Sequence, residues 1–281
     1  MNKYFSFGEN WKKFFKFYVN EKIVLEAASS LLKYFPKEQF KNKTFIDVGC
    51  GSGLFSLGAL LLGCKEVHSF DIDKESVRTT EKLKKQFDYL LKTKNQDFNW
   101  EIFQGNILDN NLINRLYQKG DIVYAWGSLH HTGAMWQSIK NTMKIVKPMG
   151  YFIIAIYNYA PSSPFWLKVK KFYNRQNKFI RSLLIFFLFL EKFIGRTLLL
   201  KSPLKEKRGM SIFYDTIDWL GGYPYEFSCF DEIKNFIEKL GFKFIKAPTK
   251  ISCGKGKKIN LLSKIRSKDT GNNEFVFQKI K

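Results

Sequence analysis

The sequence is poor in the residues that build disulfide frameworks and metal centres. Among its 281 residues it has four cysteines: Cys50, Cys64, Cys229 and Cys253. No two of them have the spacing of metal ligands, and four in a chain of this length are too sparse for a disulfide framework. We therefore predict four unpaired thiols, as in proteins of the reducing cytosol, and no bound metal.

Long hydrophobic runs are also missing. The longest, residues 182–190, is under half of the about 20 residues that a helix needs to cross a bilayer. Residues 1–22 alternate aromatic and charged side chains and do not resemble a secretory leader. We expect a cytoplasmic protein, in which the apolar run is either a lid over the site or a peripheral contact with the inner face of an anionic membrane.

Acidic residues are scarce relative to basic ones, 25 against 47, which gives a net charge of +22. The excess is concentrated. Residues 160–210 contain 12 basic and 2 acidic residues and residues 243–281 contain 11 and 2, whereas residues 44–159 contain 13 and 11. The bias of an AT-rich genome explains a high total but not this clustering, which favours an anionic partner for the insertion or the tail.

Three glycines lie close together at the most informative point of the chain. An apolar strand pattern over residues 44–48 leads into Gly49, Gly51 and Gly53, and a helical pattern follows over residues 54–62. Glycines permit positive φ and let a ligand lie against the backbone, beside the free N–H groups of a helix N-terminus. The next strand pattern ends at Asp71, where a carboxylate can accept hydrogen bonds from ribose hydroxyls. These residues predict a site for a nucleotide-type cofactor.

The segment Asp47-Val48-Gly49-Cys50-Gly51-Ser52-Gly53 resembles the first motif of the class I S-adenosylmethionine-dependent methyltransferases. Residues 70–73 are similar to the ribose-binding motif of that family and residues 121–126 to its fourth motif, in the same order and spacing. The resemblance covers residues 44–157 and implies S-adenosyl-L-methionine as the cofactor. It implies cofactor contacts at the ends of successive strands, from Asp47, Gly49, Cys50, Gly51, Gly53, Asp71, Ile72, Asn106, Ile107 and Trp126.

The alternation of strand and helix patterns predicts an α/β fold, a doubly wound, Rossmann-like sheet of seven strands. The expected strands are residues 44–48, 67–71, 99–103, 121–126, 151–157, 242–246 and 274–278. The resemblance implies that the last two form an antiparallel hairpin at the edge of an otherwise parallel sheet. We expect four parts: a helical cap over residues 1–43, with one helical stretch at 6–35, a cofactor-binding core (44–159), a helical insertion or lid (160–230) and the rest of the sheet domain (231–281).

Two positions depart from the family pattern. The turn before the fifth strand is Lys147-Pro148-Met149-Gly150, where the family usually has a glycine in place of Met149. Asn106 stands where the family commonly has an aspartate that reaches the adenine amine. The amide oxygen of Asn106 can accept the same hydrogen bond, so binding of adenine remains compatible with the sequence.

The expected chemistry is in-line methyl transfer, in which positioning supplies most of the rate and a base is needed when the nucleophile carries a proton. His130 and His131 follow the fourth strand, at the sheet edge where ligands bind in such folds. His131 aligns with a histidine that the family's small-molecule members, such as quinone-pathway O-methyltransferases, often carry. We therefore prefer His131 as the general base and keep His130 as the second candidate.

Four further residues are candidates for substrate binding. Tyr157 and Asn158 end the fifth strand pattern, and Asp215 and Asp218 would share one face of a helix. Residues 208–226 resemble a segment of a bacterial subset of the family that is linked to surface-glycan and lipid-linked sugar pathways. That resemblance implies a glycan or lipid-linked acceptor.

Three classes of function therefore stay open. The histidine pair and the apolar insertion favour methylation of a hydroxyl on a small-molecule, glycan or lipid-linked acceptor. The charge favours an RNA methyltransferase, but the basic clusters lack the aromatic signatures of single-strand RNA readers. The third class, a non-catalytic cofactor-binding scaffold, is disfavoured by the intact glycine turn and Asp71.

Overall fold

A computed structural model describes residues 6–92, 97–198, 212–255 and 271–280 of the chain. Within these ranges, one sheet contains seven strands: β1 (Thr44–Val48), β2 (Glu66–Asp71), β3 (Asn99–Gln104), β4 (Gly120–Trp126), β5 (Val146–Tyr157), β6 (Phe242–Thr249) and β7 (Asn272–Lys279). Their order is β3-β2-β1-β4-β5-β7-β6, and β7 runs antiparallel to both of its neighbours while the other pairs are parallel. The predicted fold class is confirmed.

Helices cover both faces of the sheet. The described residues form α1 (Phe7–Tyr18), α2 (Glu21–Leu31), α3 (Leu54–Leu61), α4 (Lys74–Gln86), α5 (Asp88–Lys92), α6 (Asn110–Leu116), α7 (Met135–Ile145), α8 (Ser163–Arg175), α9 (Lys178–Leu198), α10 (Ile212–Gly221) and α11 (Phe230–Glu238). Phe45 of β1 belongs to a cluster of buried side chains that includes residues of α1–α5. The next residue, Ile46, belongs to a second cluster, which includes residues of α6, α7 and α11. Successive strand residues point to opposite faces, so the two clusters are the two layers of the core. None of the described helices is long and apolar enough to cross a membrane.

The carboxyl ends of the parallel strands share one edge of the sheet. Strand β1 lies between β2 and β4: the chain continues from β1 to β2 and β3 on one side and places β4 and β5 on the other. The boundary between β1 and β4 is therefore a topological switch point. Ligands of doubly wound sheets bind outside the carboxyl ends at such a point. The glycine turn after β1 and the histidine pair after β4 both lie at this edge.

Some element boundaries differ from the predictions. The stretch 6–35 is two helices, because the chain turns extended at Val19 and the Asn20 side chain accepts the N–H of Ile23, which starts α2. Strand β5 begins at Val146, before the expected turn. Met149 has a positive φ of 61°, so it adopts the left-handed conformation that the family usually assigns to glycine.

The prediction of four unpaired thiols is wrong for two of them. Cys229 and Cys253 form a disulfide with their Cα atoms 5.2 Å apart, while Cys50 and Cys64 are free and buried. The bond joins the start of α11 to the segment after β6, which the sheet brings together across a separation of 24 residues. Sequence spacing alone does not show such a pairing. Residues 199–211 of the insertion region and 256–270 of the basic tail lie outside the described residues.

Candidate active site

The turn between β1 and α3 is built on three glycines, against which side chains of neighbouring segments pack closely. Gly49, Gly51 and Gly53 have φ values of 77°, 56° and 78°. A Cβ at Gly49 would lie 2.4 Å from the Cβ of Ser128, whose hydroxyl donates to the carbonyl of Val48 at 2.7 Å. The glycine turn is therefore locked to the segment after β4, and its conformation excludes other residue types at these positions.

Asp71, at the end of β2, faces the same turn. Its Oδ2 accepts the N–H of Gly51 at 3.0 Å and its Oδ1 accepts the N–H of Asp73 at 2.9 Å. Burial raises the pKa of Asp71 to about 6, against the lowering effect of these two hydrogen bonds. The carboxylate is thus ionised at neutral pH and keeps lone pairs for further donors such as hydroxyl groups.

Asp47 lies beneath the turn rather than at the edge. It is 3% exposed, and its Oδ2 accepts the hydroxyl of Ser56 in α3 at 2.6 Å. Burial raises its pKa to about 7, against the lowering effect of the Ser56 hydrogen bond. The predicted contact of Asp47 with a cofactor becomes an indirect one, through support of the glycine turn.

The remaining predicted cofactor residues differ in their exposure. Ile72 is 65% exposed beside Asp71, and Trp126 ends β4 partly buried against the core. Asn106 uses its amide oxygen to accept the N–H of Leu108 at 3.0 Å. The side chains of Cys50 and Ile107 are buried, so only their backbone can face a ligand.

Helix α1 lies across this edge of the sheet, a position that the sequence did not predict. The indole nitrogen of Trp11 would lie 3.0 Å from a Cβ at Gly51, so the ring covers the glycine turn. The N–H of Gly8 donates to Asp73 Oδ2 at 2.9 Å, and a Cβ at Gly8 would come within 2.4 Å of that carboxylate. The glycine in an aromatic-rich helix was the one sequence signal of this close approach.

The two histidines have different hydrogen-bond partners. His131 Nδ1 donates to the carbonyl of Pro224 at 2.7 Å, which leaves the lone pair on Nε2. His130 is fully buried and its Nδ1 accepts the N–H of Tyr157 at 3.3 Å, so its proton is on Nε2. Burial lowers the pKa of His131 to about 3 and the pKa of His130 well below its usual range. Both rings are therefore neutral, and only His131 is partly exposed.

Gly222, which follows α10, lies close against the ring of His131. A Cβ at this glycine would lie 2.7 Å from His131 Cε1 and 3.3 Å from Nε2. The ring of Phe7 lies 4.9 Å from the His131 ring, centroid to centroid. Helix α1 therefore contacts both the glycine turn and the histidine, which places the two predicted centres under one cover.

The insertion brings acidic side chains to the same place. The rings of Tyr157 and His131 lie 5.6 Å apart, centroid to centroid. Burial raises the pKa of Tyr157 well above its usual range, and the nearby Tyr225, Asp215 and Asp218 raise it further. Burial also raises the pKa of Asp218 well above its usual range, although the Asn10 amide donates to its Oδ1 at 2.7 Å. Three of the four predicted substrate residues thus converge near His131.

Asn158, the fourth, does not join them. It is fully buried; its Oδ1 accepts from the Asn273 amide at 3.0 Å and its own amide donates to the carbonyl of Ser252 at 3.0 Å. Both ends of the side chain hold the end of β5 to β7 and to the segment after β6. Segments far apart in sequence enclose the side chain, and a role of Asn158 in orienting a substrate stays a prediction.

Sequence reasoning missed Lys170 of α8. This residue is fully buried, and its Nζ lies 4.3 Å from the ring centroid of Trp219, 4.7 Å from that of Tyr225 and 5.9 Å from that of Tyr157. Aromatic faces attract a cation in such an arrangement. A lysine in a basic helix gives no signal of burial, so it was counted with the surface charge.

A segment of just under half of the chain matches a known family model. Residues 26–157 match the family model of ribosomal protein L11 methyltransferase (PrmA). A ribosomal protein L11 methyltransferase of Legionella pneumophila (strain Lens) is 45% identical over 56 residues, 20% of this chain and 19% of that protein. The chain thus spans about a fifth of the length of the curated relatives it matches. The matched residues end at Tyr157, before the insertion.

Solved structures share the fold at low identity. An S-adenosylmethionine-dependent methyltransferase from Listeria monocytogenes matches with a TM-score of 0.50 and 15% identity, over 91% of this chain and 99% of that one. An O-methyltransferase family protein from Burkholderia thailandensis matches with a TM-score of 0.51 and 12% identity, over 90% of this chain and 55% of that one. At these identities the likeness concerns the fold alone.

The residues at the sheet edge fit S-adenosylmethionine, the cofactor of such enzymes. Three left-handed glycines turn the chain from β1 into the N-terminus of α3, and helix N-termini bind carboxylates well. The side chains of Ser128, Trp11 and Thr80 pack on these glycines in this structure. Asp71 retains acceptor capacity for ribose hydroxyls, and the Trp11 ring lies over the same turn. The donors and acceptors that the cofactor requires are thus present on adjacent elements.

Proposed function

We propose that this chain, which belongs to the class I S-adenosylmethionine-dependent methyltransferases, methylates a hydroxyl of a small-molecule, glycan or lipid-linked acceptor. The observation that carries the proposal is the hydrogen bond from His131 Nδ1 to the carbonyl of Pro224, which fixes the tautomer whose lone pair is on Nε2. This is the arrangement of an oriented general base.

In the proposed site, the glycine turn holds the methionine part of the cofactor and Asp71 accepts its ribose hydroxyls. The bound cofactor supplies a methyl group activated by its sulfonium. Trp126, at the end of β4, offers an aromatic face to that positive charge. Ile72 and Asn106 are proposed to contact the adenine, and Cys50 and Ile107 to contribute backbone groups.

His131 is proposed to remove the acceptor's hydroxyl proton as the oxygen forms its bond to the methyl carbon. The proton goes to Nε2, and the carbonyl of Pro224 stabilises the resulting imidazolium through Nδ1–H. Tyr157, Asp215 and Asp218 are proposed to orient the acceptor from the insertion side. His130 holds the backbone of Tyr157 and has a positioning role.

Asp218 is a second candidate for the base. The pKa of His131, about 3, makes it a weak base while the site is closed, whereas the raised pKa of Asp218 makes that carboxylate a stronger one. Groups whose environments push their pKa values apart are often an acid–base pair. Substitution of each residue alone separates the two assignments.

Other acceptors remain alternatives. The match to ribosomal protein L11 methyltransferases favours a protein acceptor. The matched residues, 26–157, however include the proposed cofactor-binding core and not the insertion. The basic insertion and tail favour RNA. A small polar acceptor accounts better than either alternative for the cluster of Tyr157, Asp218 and the buried Lys170.

The acceptor can be identified by mass spectrometry of metabolites, glycans and lipids from a deletion strain and its parent. We expect one species to lose 14 mass units, the mass of a methylene, in the deletion strain and to regain it with the wild-type gene but not with His131→Ala. A methyl group lost only from ribosomal protein or RNA would contradict the proposed acceptor class.

We further propose four parts of the chain: a cap (residues 1–43), a cofactor-binding core (44–159), a lid (160–230) and a segment that completes the sheet (231–281).

A further inference from the structure

Helix α9 carries an apolar stripe that faces solvent. Six large side chains on this helix are exposed: Phe179 (72%), Leu183 (42%), Phe186 (56%), Phe187 (64%), Leu190 (38%) and Ile194 (48%). Their spacing of four, three, one, three and four residues keeps them on one side of the helix. This set of six residues is called the α9 stripe below.

The opposite side of α9 is held by the protein. Phe189 packs against Phe213 of α10 with ring centroids 6.0 Å apart. The guanidinium of Arg181 donates to the carbonyls of Tyr173 and Asn174 in α8, at 3.1 and 2.6 Å. The orientation of α9 is therefore fixed by contacts on its inner side, and the stripe stays outside.

The helix next to the stripe is basic. Lys168, Lys171 and Arg175 are exposed on α8, together with Phe172, which is 51% exposed. Lys178 is exposed at the start of α9, and Glu191 is the acidic residue on its exposed side. An apolar stripe beside exposed basic side chains is the composition of helices that lie in the plane of a membrane surface.

We propose that the α9 stripe docks this protein on the surface of an anionic membrane. Burial of the stripe among acyl chains removes apolar surface from water, and the basic residues of α8 attract anionic headgroups. A second copy of the chain would bring like charges together at the same surface. RNA would satisfy the charges but would leave six apolar side chains in water.

Membrane docking does not depend on the reaction that the site performs. The helices that carry the stripe and its basic neighbours, α8 and α9, belong to the insertion that also supplies Lys170 to the candidate active site. Docking would therefore bring the opening of the site close to lipid-linked acceptors. This consequence rests on the proposed function, whereas docking itself can be measured with vesicles alone.

The test is flotation of the full chain with vesicles of phosphatidylcholine alone and with about 30% phosphatidylglycerol, at low and high salt. We expect binding to the anionic vesicles that weakens as salt rises, since screening shortens the reach of the basic residues. The double variant Phe186→Ser/Phe187→Ser should bind at least about tenfold more weakly, because both rings are lost from the buried face. Circular dichroism and binding of S-adenosylhomocysteine verify that each variant is folded.

Phe17→Ser is the matched control, because Phe17 on α1 is 64% exposed, as Phe187 is. We expect this control to bind vesicles like the wild type. Equal binding by the wild type and the double variant, or no binding to anionic vesicles, would overturn the proposal. So would a dimer or an RNA complex that the double variant loses while vesicle binding is unchanged.

Discussion

Asp71→Asn should weaken binding of the cofactor by about 10- to 100-fold. The wild-type carboxylate accepts the N–H groups of Gly51 and Asp73 at 3.0 and 2.9 Å, and an asparagine oxygen can keep one of these bonds. The substitution removes the negative charge that strengthens bonds from ribose hydroxyls. A hydrogen bond to a charged group contributes about 1.5–3 kcal/mol, and about 1.4 kcal/mol corresponds to a tenfold change in affinity.

The assay is calorimetric titration with S-adenosylhomocysteine, the methyl-depleted form of the cofactor. The pKa of Asp71 is about 6, so affinity should rise as pH rises through that value and the carboxylate ionises. The variant should lack this rise. Asp109→Asn is the matched control, because Asp109 also accepts a backbone N–H, that of Asn111, but is exposed to solvent. Unchanged affinity in a folded Asp71→Asn protein would refute the assignment of the ribose site.

Three further predictions concern single residues. His131→Ala should lower turnover by about 10²–10⁴-fold with cofactor affinity retained. The pKa of His131 is about 3, so the rate of a His131-dependent reaction should not rise near neutral pH. A wild-type rate that rises there, together with a lowered rate in Asp218→Asn, would instead assign the base to Asp218. S-adenosylhomocysteine should change the indole fluorescence of Trp11→Phe less than that of the wild type, since Trp126 remains in the variant, and an identical change in both would contradict the cover over the glycine turn. The Asp47 carboxyl has a pKa of about 7 in the folded state, which therefore binds a proton that the unfolded state releases. In urea unfolding, the free energy of unfolding of the wild type, relative to that of Asp47→Asn, should fall by up to about 1.4 kcal/mol per pH unit as pH rises from 5 to 7. A difference between the two proteins that does not change with pH would refute the assignment.

The sheet was predictable because local patterns determine it. Residues 151–157 of strand β5 are an uninterrupted apolar run, and Phe152–Ile156 are fully buried, as expected for a central strand covered on both faces. The glycine turn was predictable for a similar reason, since its positive φ values require glycine. The family resemblance then added the antiparallel pairing of the last two strands at the sheet edge, which local patterns do not contain.

The features that escaped prediction all depend on contacts distant in sequence. The sequence places Asn158 at the end of a strand, but only the fold shows that Asn273 and Ser252 bind both ends of its side chain. Burial of Lys170 arises from rings contributed by two other segments. Helix α1 contacts the glycine turn through Trp11 and Asp73 through Gly8, and the glycine in an aromatic-rich helix was the one sequence signal of this approach.

The central claim is methyl transfer to a small-molecule, glycan or lipid-linked hydroxyl. The most direct measurement incubates the purified chain with methyl-labelled S-adenosylmethionine and an extract of the deletion strain, then separates protein, RNA, lipid-linked and small-molecule fractions. We expect the methyl label in the lipid-linked or small-molecule fraction. It should resist treatment with base, as a methyl ether does, and should be absent with His131→Ala. Label confined to protein or RNA, or no transfer to any fraction by a chain that binds the cofactor, would contradict this claim.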